Sequence, residues 1–297
     1  MAACAVLCAL PMAAVHSGEP QRLTQDGRLK LAPTFTADGE AVVYSVHDVP
    51  NRVSLMKLDL ADGSQELVHP TLNDHQFDAA FSGDGRYHCF AMSSGSPQLV
   101  LVIKDLTEKR EMVFRPEGAR STARTPRFLP DASRVIFTLS APGGQQIASV
   151  DINGGDLRRL TQSTGINCWP SVSPDGEQIA FSSSRDGNFD LYTMSTSADA
   201  TAERLTRGPQ RETRPAWSPD GTRIAFTSLR AGNQELFVMD ADGGNRQQIT
   251  EHPARDDFAV WHPDGDRLLA VSERDGGFDL YLFDVPALQI ECPPSSR

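Results

Sequence analysis

Hydrophobic residues in this chain come in runs of three to six, broken by Pro, Gly and charged positions, and no stretch keeps the 3.6-residue period of an amphipathic helix. The runs are rich in Val, Ile, Phe and Tyr, which suit a pleated, half-buried surface. Short strands separated by tight turns are therefore predicted throughout.

The pattern repeats. The clearest copies are Trp-Pro-Ser-Val-Ser-Pro-Asp-Gly at 169–176, Arg-Pro-Ala-Trp-Ser-Pro-Asp-Gly at 214–221 and Phe-Ala-Val-Trp-His-Pro-Asp-Gly at 258–265. Weaker copies lie at 33–39, 78–85 and 126–132. The turn position falls at Gly39, Gly85, Ala132, Gly176, Gly221 and Gly265, so successive copies are 46, 47, 44, 45 and 44 residues apart. That is the length of four short strands and their turns. After each turn comes an apolar run such as Ile179 to Phe181 or Ile224 to Phe226. A second run then ends in Asp, as at Asp240 and Asp284, and a short segment closes on Leu-Thr or Ile-Thr, as at Thr161, Thr206 and Thr250. Pro presets φ for an early turn position, Asp bonds its own backbone and Gly accepts positive φ, so the motif bends one strand into the next.

Six four-stranded units stacked in a line would need dedicated caps at both ends, and neither end of this sequence looks like one, so a closed ring is expected. Gln-Arg-Leu-Thr at 21–24 matches the segment that ends the other repeats, yet precedes the first complete copy. It is expected to supply the outermost strand of the sixth unit, in competition with Leu288 to Ile290. The fold expected is all-β, a six-bladed β-propeller of four-stranded antiparallel blades closed by the N-terminal strand.

Composition adds location and excludes some partners. Residues 1–17 are apolar up to Val15 and too short to span a bilayer; they read as a secretory signal, although no Lys or Arg precedes the apolar run. The expected organisation is a signal peptide over 1–17, the propeller over 18–290 and a tail over 291–297, in a monomeric periplasmic or secreted protein without a membrane span. The net charge of -11, with 28 Lys and Arg scattered along the chain, argues against nucleic acid. Of the five Cys, Cys4 and Cys8 fall in the leader, and Cys89, Cys168 and Cys292 lack the short spacing of a zinc site. Cys89 sits in an apolar pattern as a small core residue.

At these motifs the chain resembles the TolB-like propeller family, whose repeats read Pro-x-Trp-Ser-Pro-Asp-Gly, Ile-Ala-Phe, Ser-x-Arg-x-Gly, Ile-Tyr-Val-Met-Asp and Leu-Thr. The resemblance runs from about residue 21 to 290, strongest in blades four to six, and weakest in blade two, where Gly83 replaces the Pro. It covers the propeller half of TolB only, with no counterpart to that protein's N-terminal α/β domain. What it implies is an envelope protein that binds another protein or a peptide.

Chemistry-bearing motifs are sparse. A nucleophile elbow, a His-Glu-x-x-His motif and a phosphate-binding Gly loop are all missing from the sequence, and the His residues are isolated from one another. No catalytic residue, metal or cofactor is assigned. Carboxylates recurring at every turn and strand end mark scaffold. Arg185, Arg230 and Arg274, each followed five residues later by Asp190, Glu235 and Asp279, are expected to pair across a hairpin.

Function should instead lie where equivalent positions differ. Eight and nine residues before each turn position, the chain enters the innermost strand at one mouth of the channel. There it carries Lys30, Gln76, Arg124, Asn167, Glu212, Asp256 and Asp257, with His75 one place earlier. Trp169, Phe258 and Arg214 follow in the next phase and are expected to face the same mouth. The leading expectation is a non-enzymatic propeller that binds a protein or peptide there. The alternative is an enzyme on a sugar or lactone, using Glu212, Asp256, Asp257 and His75, with calcium or magnesium in the channel. A third is a module that only braces a larger assembly.

Overall fold

In a computed structural model, residues 18–93, 97–197, 200–230 and 232–286 are described. They form six antiparallel four-stranded sheets arranged as the blades of a propeller, with no helix among the described residues. Blade four is typical, with strands Asn167–Val172, Gln178–Ser183, Asp190–Ser195 and Glu203–Arg204, from the channel outwards. The proposed leader at 1–17, the competing segment 288–290 and the tail at 291–297 lie outside the described residues.

Each innermost strand turns into the second through the repeated motif. In blade four the Ser173 hydroxyl donates to Asp175 at 2.5 Å, and the Gly176 amide donates to the Ser173 carbonyl at 2.9 Å, with Gly176 at φ +76°. The turn also joins blades. A β-carbon on Gly176 would lie 2.9 Å from Pro130 Cδ of the preceding blade's turn, and one on Gly39 would lie 2.9 Å from Pro263 Cγ across the seam between blades six and one. Gly is needed there for its torsion and for its lack of a side chain.

The core lies between blades. Ile179 and Phe181 of blade four pack with Ile136 and Ile147 of blade three, while Val135 and Phe137 of blade three pack with Cys89 and Leu101 of blade two. Cys89 and Cys168 are free and buried. Each such buried Ile or Phe contributes about 1.5–3 kcal/mol, so the interfaces between blades hold the ring.

Closure uses the N-terminus. Gln21–Arg22 pairs antiparallel with Asp279–Asp284, placing Gln21 opposite Leu282 and Arg22 opposite Tyr281. The Leu-Thr ending explains itself here. The Thr24 hydroxyl donates to Asp279 at 2.7 Å and accepts from the Leu280 amide at 3.0 Å. Blades four and five repeat this with Thr206 on Asp190 and Thr250 on Glu235.

These carboxylates therefore face the outer strand, which corrects the expected hairpin ion pairs. Arg22 and Arg204, from the outermost strands, hold Asp279 and Asp190 at 2.7 and 2.6 Å. Arg185, Arg230 and Arg274 fold back over Ser183, Ser228 and Ser272 and reach the innermost strand instead. There they meet Asn167 at 2.9 Å, Glu212 at 3.5 Å and Asp256 at 3.0 Å. The register is the reason, since each of these Ser residues stands opposite both the acidic residue on one side and the innermost-strand residue on the other.

Candidate functional site

The central channel is shaped by one backbone device used six times. In every blade the pairing of innermost and second strands slips, for example between Cys168 and Ser171 and between Thr213 and Ala216. A bulge of this kind inserts an unpaired residue and re-aims its side chain. The inserted residue is Ala32, Asp78, Thr125, Trp169, Arg214 or Phe258, each seven places before its turn position, and all six have φ between 48° and 60°. Left-handed torsions cost a non-Gly residue about 1–3 kcal/mol, so six in phase require support from their surroundings.

That support comes from the neighbouring blade. The amide freed by the bulge donates to a hydroxyl on the second strand of the preceding blade: Asp78 to Ser45 at 3.2 Å, Trp169 to Thr138 at 3.1 Å and Arg214 to Ser182 at 3.0 Å. Blades two and six have Ala91 and Val271 where the other four have Ser or Thr, and beside Ala91 the Asp78 carboxylate accepts from the Thr125 amide at 3.0 Å. In blade five Thr227 donates to Asp257 at 2.9 Å, and Asp257 accepts from the Phe258 amide at 2.8 Å.

The six inserted residues line a cavity of about 370 Å³ to which all six blades contribute. One identical backbone conformation thus presents six different side chains to one space. On one side the Arg214 guanidinium lies between two rings, 4.4 Å from the Trp169 centroid and 4.2 Å from that of Phe258, and pairs with Asp257 at 3.2 Å. Opposite in charge order, Arg124 grips Asp78 of the preceding blade through two nitrogens and lies 4.6 Å from the Phe77 ring. Burial opposes ionisation of Asp78, but Arg124 outweighs it and holds the carboxyl below the usual range. Pro33, Pro170 and Pro215 follow three of the inserted residues in the wall and carry no amide to satisfy.

Of the residues singled out by sequence, Arg124, Trp169, Arg214 and Phe258 line this cavity, and Asp257 stands behind Arg214. Lys30, Gln76, Asn167, Glu212 and Asp256, nine places before the turn, do not. All five are buried, and each is engaged in linking strands. Lys30 is held by Asp26 and by Asp279 at 3.1 Å, Gln76 by His69 at 2.7 Å, Asn167 by Gln146, Ser183 and Arg185, Glu212 by Arg230, and Asp256 by Arg274. His75 is half-buried at the seam with blade one, where it accepts from the Val53 amide at 3.2 Å. The reason is the bulge, which shifts the channel-facing phase to the seventh place and turns the ninth into the blade. Sequence reasoning missed Asp78 and Arg127 as channel residues. The signal that could have found Asp78 is its alignment with Trp169 and Arg214.

Among the described residues no group of three His, Cys, Asp or Glu side chains is placed to hold a metal ion, and no helix is long and apolar enough to cross a membrane.

Comparison with known proteins agrees with the architecture. The family model of the TolB beta propeller domain matches residues 78–215, and that of the Tricorn protease N-terminal beta propeller domain matches residues 195–287. A TolB homolog of Chlorobium luteolum is 34% identical over 116 residues, covering 39% of this chain and 25% of the relative. The Tol-Pal system protein TolB of Desulfosudis oleivorans is 33% identical over 87 residues, covering 29% of this chain and 19% of the relative. The chain thus matches a quarter or less of the length of these relatives. The solved structure of a putative TolB from Agrobacterium tumefaciens superposes with a TM-score of 0.71 at 23% identity, over 89% of this chain and 93% of that one. The chain is thus a six-bladed β-propeller built on the Pro-Asp-Gly turn and closed by an N-terminal strand, and over residues 78–215 it is similar to the TolB beta propeller domain.

Proposed function

We propose that this is an exported, non-catalytic propeller that receives a segment of a partner protein in its central channel. The observation that carries this reading is the set of six inserted residues, identical in backbone and different in side chain, around one cavity. A scaffold that needed only rigidity would have no use for six distinct groups at strained positions. Trp169, Arg214 and Phe258 form a rigid aromatic and cationic wall of the sort that anchors a partner residue. The relatives named as TolB and as Tol-Pal system proteins support a protein partner in the cell envelope. The apolar sequence up to Val15, read as a secretory leader, supports export.

The enzyme reading draws less support from the geometry. Its candidates, Glu212, Asp256, Asp257 and His75, are engaged in the blades or behind Arg214 rather than lining the cavity. The cavity wall itself carries Arg124, Arg127 and Arg214 against one carboxylate, Asp78, which does not suit a divalent cation.

A photo-crosslinking residue at position 32, in cells, tests the proposal. Ala32 faces the cavity and already tolerates its torsion. The expected result is an adduct mapping to one segment of one envelope protein. The same adducts from exposed position 106 as from position 32 would overturn the reading.

A further inference from the structure

The three arginines of the channel wall are not equivalent. Arg124 has Asp78 and Arg214 has Asp257, each on an adjacent blade. Arg127 has neither. Among the described residues no carboxylate lies within ion-pair distance of its guanidinium, and its one hydrogen bond is from Nη1 to the carbonyl of its own neighbour Pro126, at 2.8 Å. Asp78, the one carboxylate in the wall, is fully engaged by Arg124 and by the Thr125 amide. Burial lowers the Arg127 pKa, and the more distant charge of Asp78 offsets this only in part. The side chain is half-buried in the channel wall, so the donors that Pro126 does not engage are left to water or to a ligand there.

Two further donors of the wall are unpaired. Arg214 Nε and Trp217 Nε1 are shielded from solvent and have no hydrogen-bond partner. With Asp257 counted, the channel holds three guanidinium groups against two carboxylates. In a protein whose net charge is -11, this recessed space is locally cationic. The imbalance matters more there than on the surface, since water screens it less.

We infer that Arg127 forms a carboxylate subsite inside the channel, filled by an acidic group on the segment the channel receives. The planar fork of a guanidinium accepts a carboxylate through two parallel hydrogen bonds. Neighbouring prolines and aromatic rings supply walls against which the carbon atoms bearing that group pack. The inference rests on the channel reading above and adds the chemistry of the residue bound.

The test uses the whole protein and three blocked peptides at constant ionic strength, followed by tryptophan fluorescence. They are acetyl-Gly-Asp-Gly-amide, its Asn counterpart, and acetyl-Gly-Gly-Gly with a free C-terminus. The wild type is expected to bind a carboxylate-bearing peptide at least tenfold more tightly than the Asn peptide. Whichever of the Asp and free C-terminal peptides binds better identifies the source of the carboxylate. R127M is expected to abolish the preference, and R127K to retain part of it, with unfolding midpoints reporting that both variants are folded. Equal binding of the Asn and carboxylate peptides, no binding of any of them, or a preference that survives R127M would overturn the inference. Crosslinking at position 32 reads the channel proposal separately. Adducts there without a carboxylate preference would sink the subsite alone, and the loss of specific adducts would sink the channel reading.

Discussion

Thr24 and Asp279 lie 255 residues apart in sequence, and their side chains meet at 2.7 Å in the interior of blade six. The same hydroxyl accepts from the Leu280 amide, so one Thr side chain serves two groups across the junction of the chain's ends. T24V keeps the shape and removes both bonds. It is expected to cost about 1–3 kcal/mol, as for a buried hydrogen-bonding group left without its partner. Urea unfolding checks this, with a lowered midpoint and an unchanged slope.

The turn glycines separate torsional strain from crowding. Gly176 and Gly265 share the motif and the torsion, at φ +76° and +79°, but a β-carbon would meet Pro130 at 2.9 Å in the first and nothing within 4 Å in the second. G265A should cost about 1 kcal/mol or somewhat more through φ alone. G176A should exceed it, by about 1 kcal/mol or more, because the blade-three turn must shift. Equal losses in thermal or urea unfolding would show that the turn-to-turn contact is slack.

Glu235 gives the fold a pH dependence of unusual sign. Burial, aided by the nearby charge of Asp256, raises its pKa to about 7, while hydrogen bonds from Thr250, the His252 amide and Asn233 only partly offset this. The outer strand of blade five has Gln248 where blades four and six supply Arg204 and Arg22, so no cation meets this carboxylate. A raised carboxyl pKa means that the folded state holds the proton more tightly than the unfolded one. This contribution is complete below about pH 4.5 and is lost as pH rises through about 7. E235Q should therefore gain stability relative to wild type between pH 5 and pH 8, by on the order of 2–3 kcal/mol. A difference that stays flat over that range would contradict the assignment.

The aromatic clamp on Arg214 should be measurable as a coupling. In a double-mutant cycle of W169L and R214M, the interaction between the two side chains is expected to be about 1 kcal/mol, as for a partly desolvated cation over a ring. Additive losses in chemical denaturation would mean that the stack is held by its neighbours rather than by mutual attraction.

Most of the blade architecture was legible because its determinants are local. Pro174, Asp175 and Gly176 specify their turn within three residues, and Thr161, Thr206 and Thr250 recur wherever an outer strand ends. The closing role of residues 21–24 was legible for the same reason, as a repeat ending displaced to the wrong end of the chain. The charged pairs were not. Arg230 stands five residues before Glu235 in sequence, yet it reaches Glu212 on another strand, since register and side-chain direction decide partners in a sheet.

The sequence by itself determined six blades, their turns and two candidate closing strands, because turn chemistry and apolar periodicity act over a few residues and repeat; the pairing of Gln21–Arg22 with Asp279–Asp284 came from the structure. Which side chains face the channel was decided only in the tertiary structure. A side chain in a strand changes face with each residue, so one inserted residue moves the channel-facing phase along the chain. The bulge that does this is held by Ser45, Thr138 and Ser182 of neighbouring blades, which come into position only when the ring assembles. For that reason Lys30, Asn167 and Glu212 turn into the blades, while Asp78, Trp169 and Arg214 turn into the cavity.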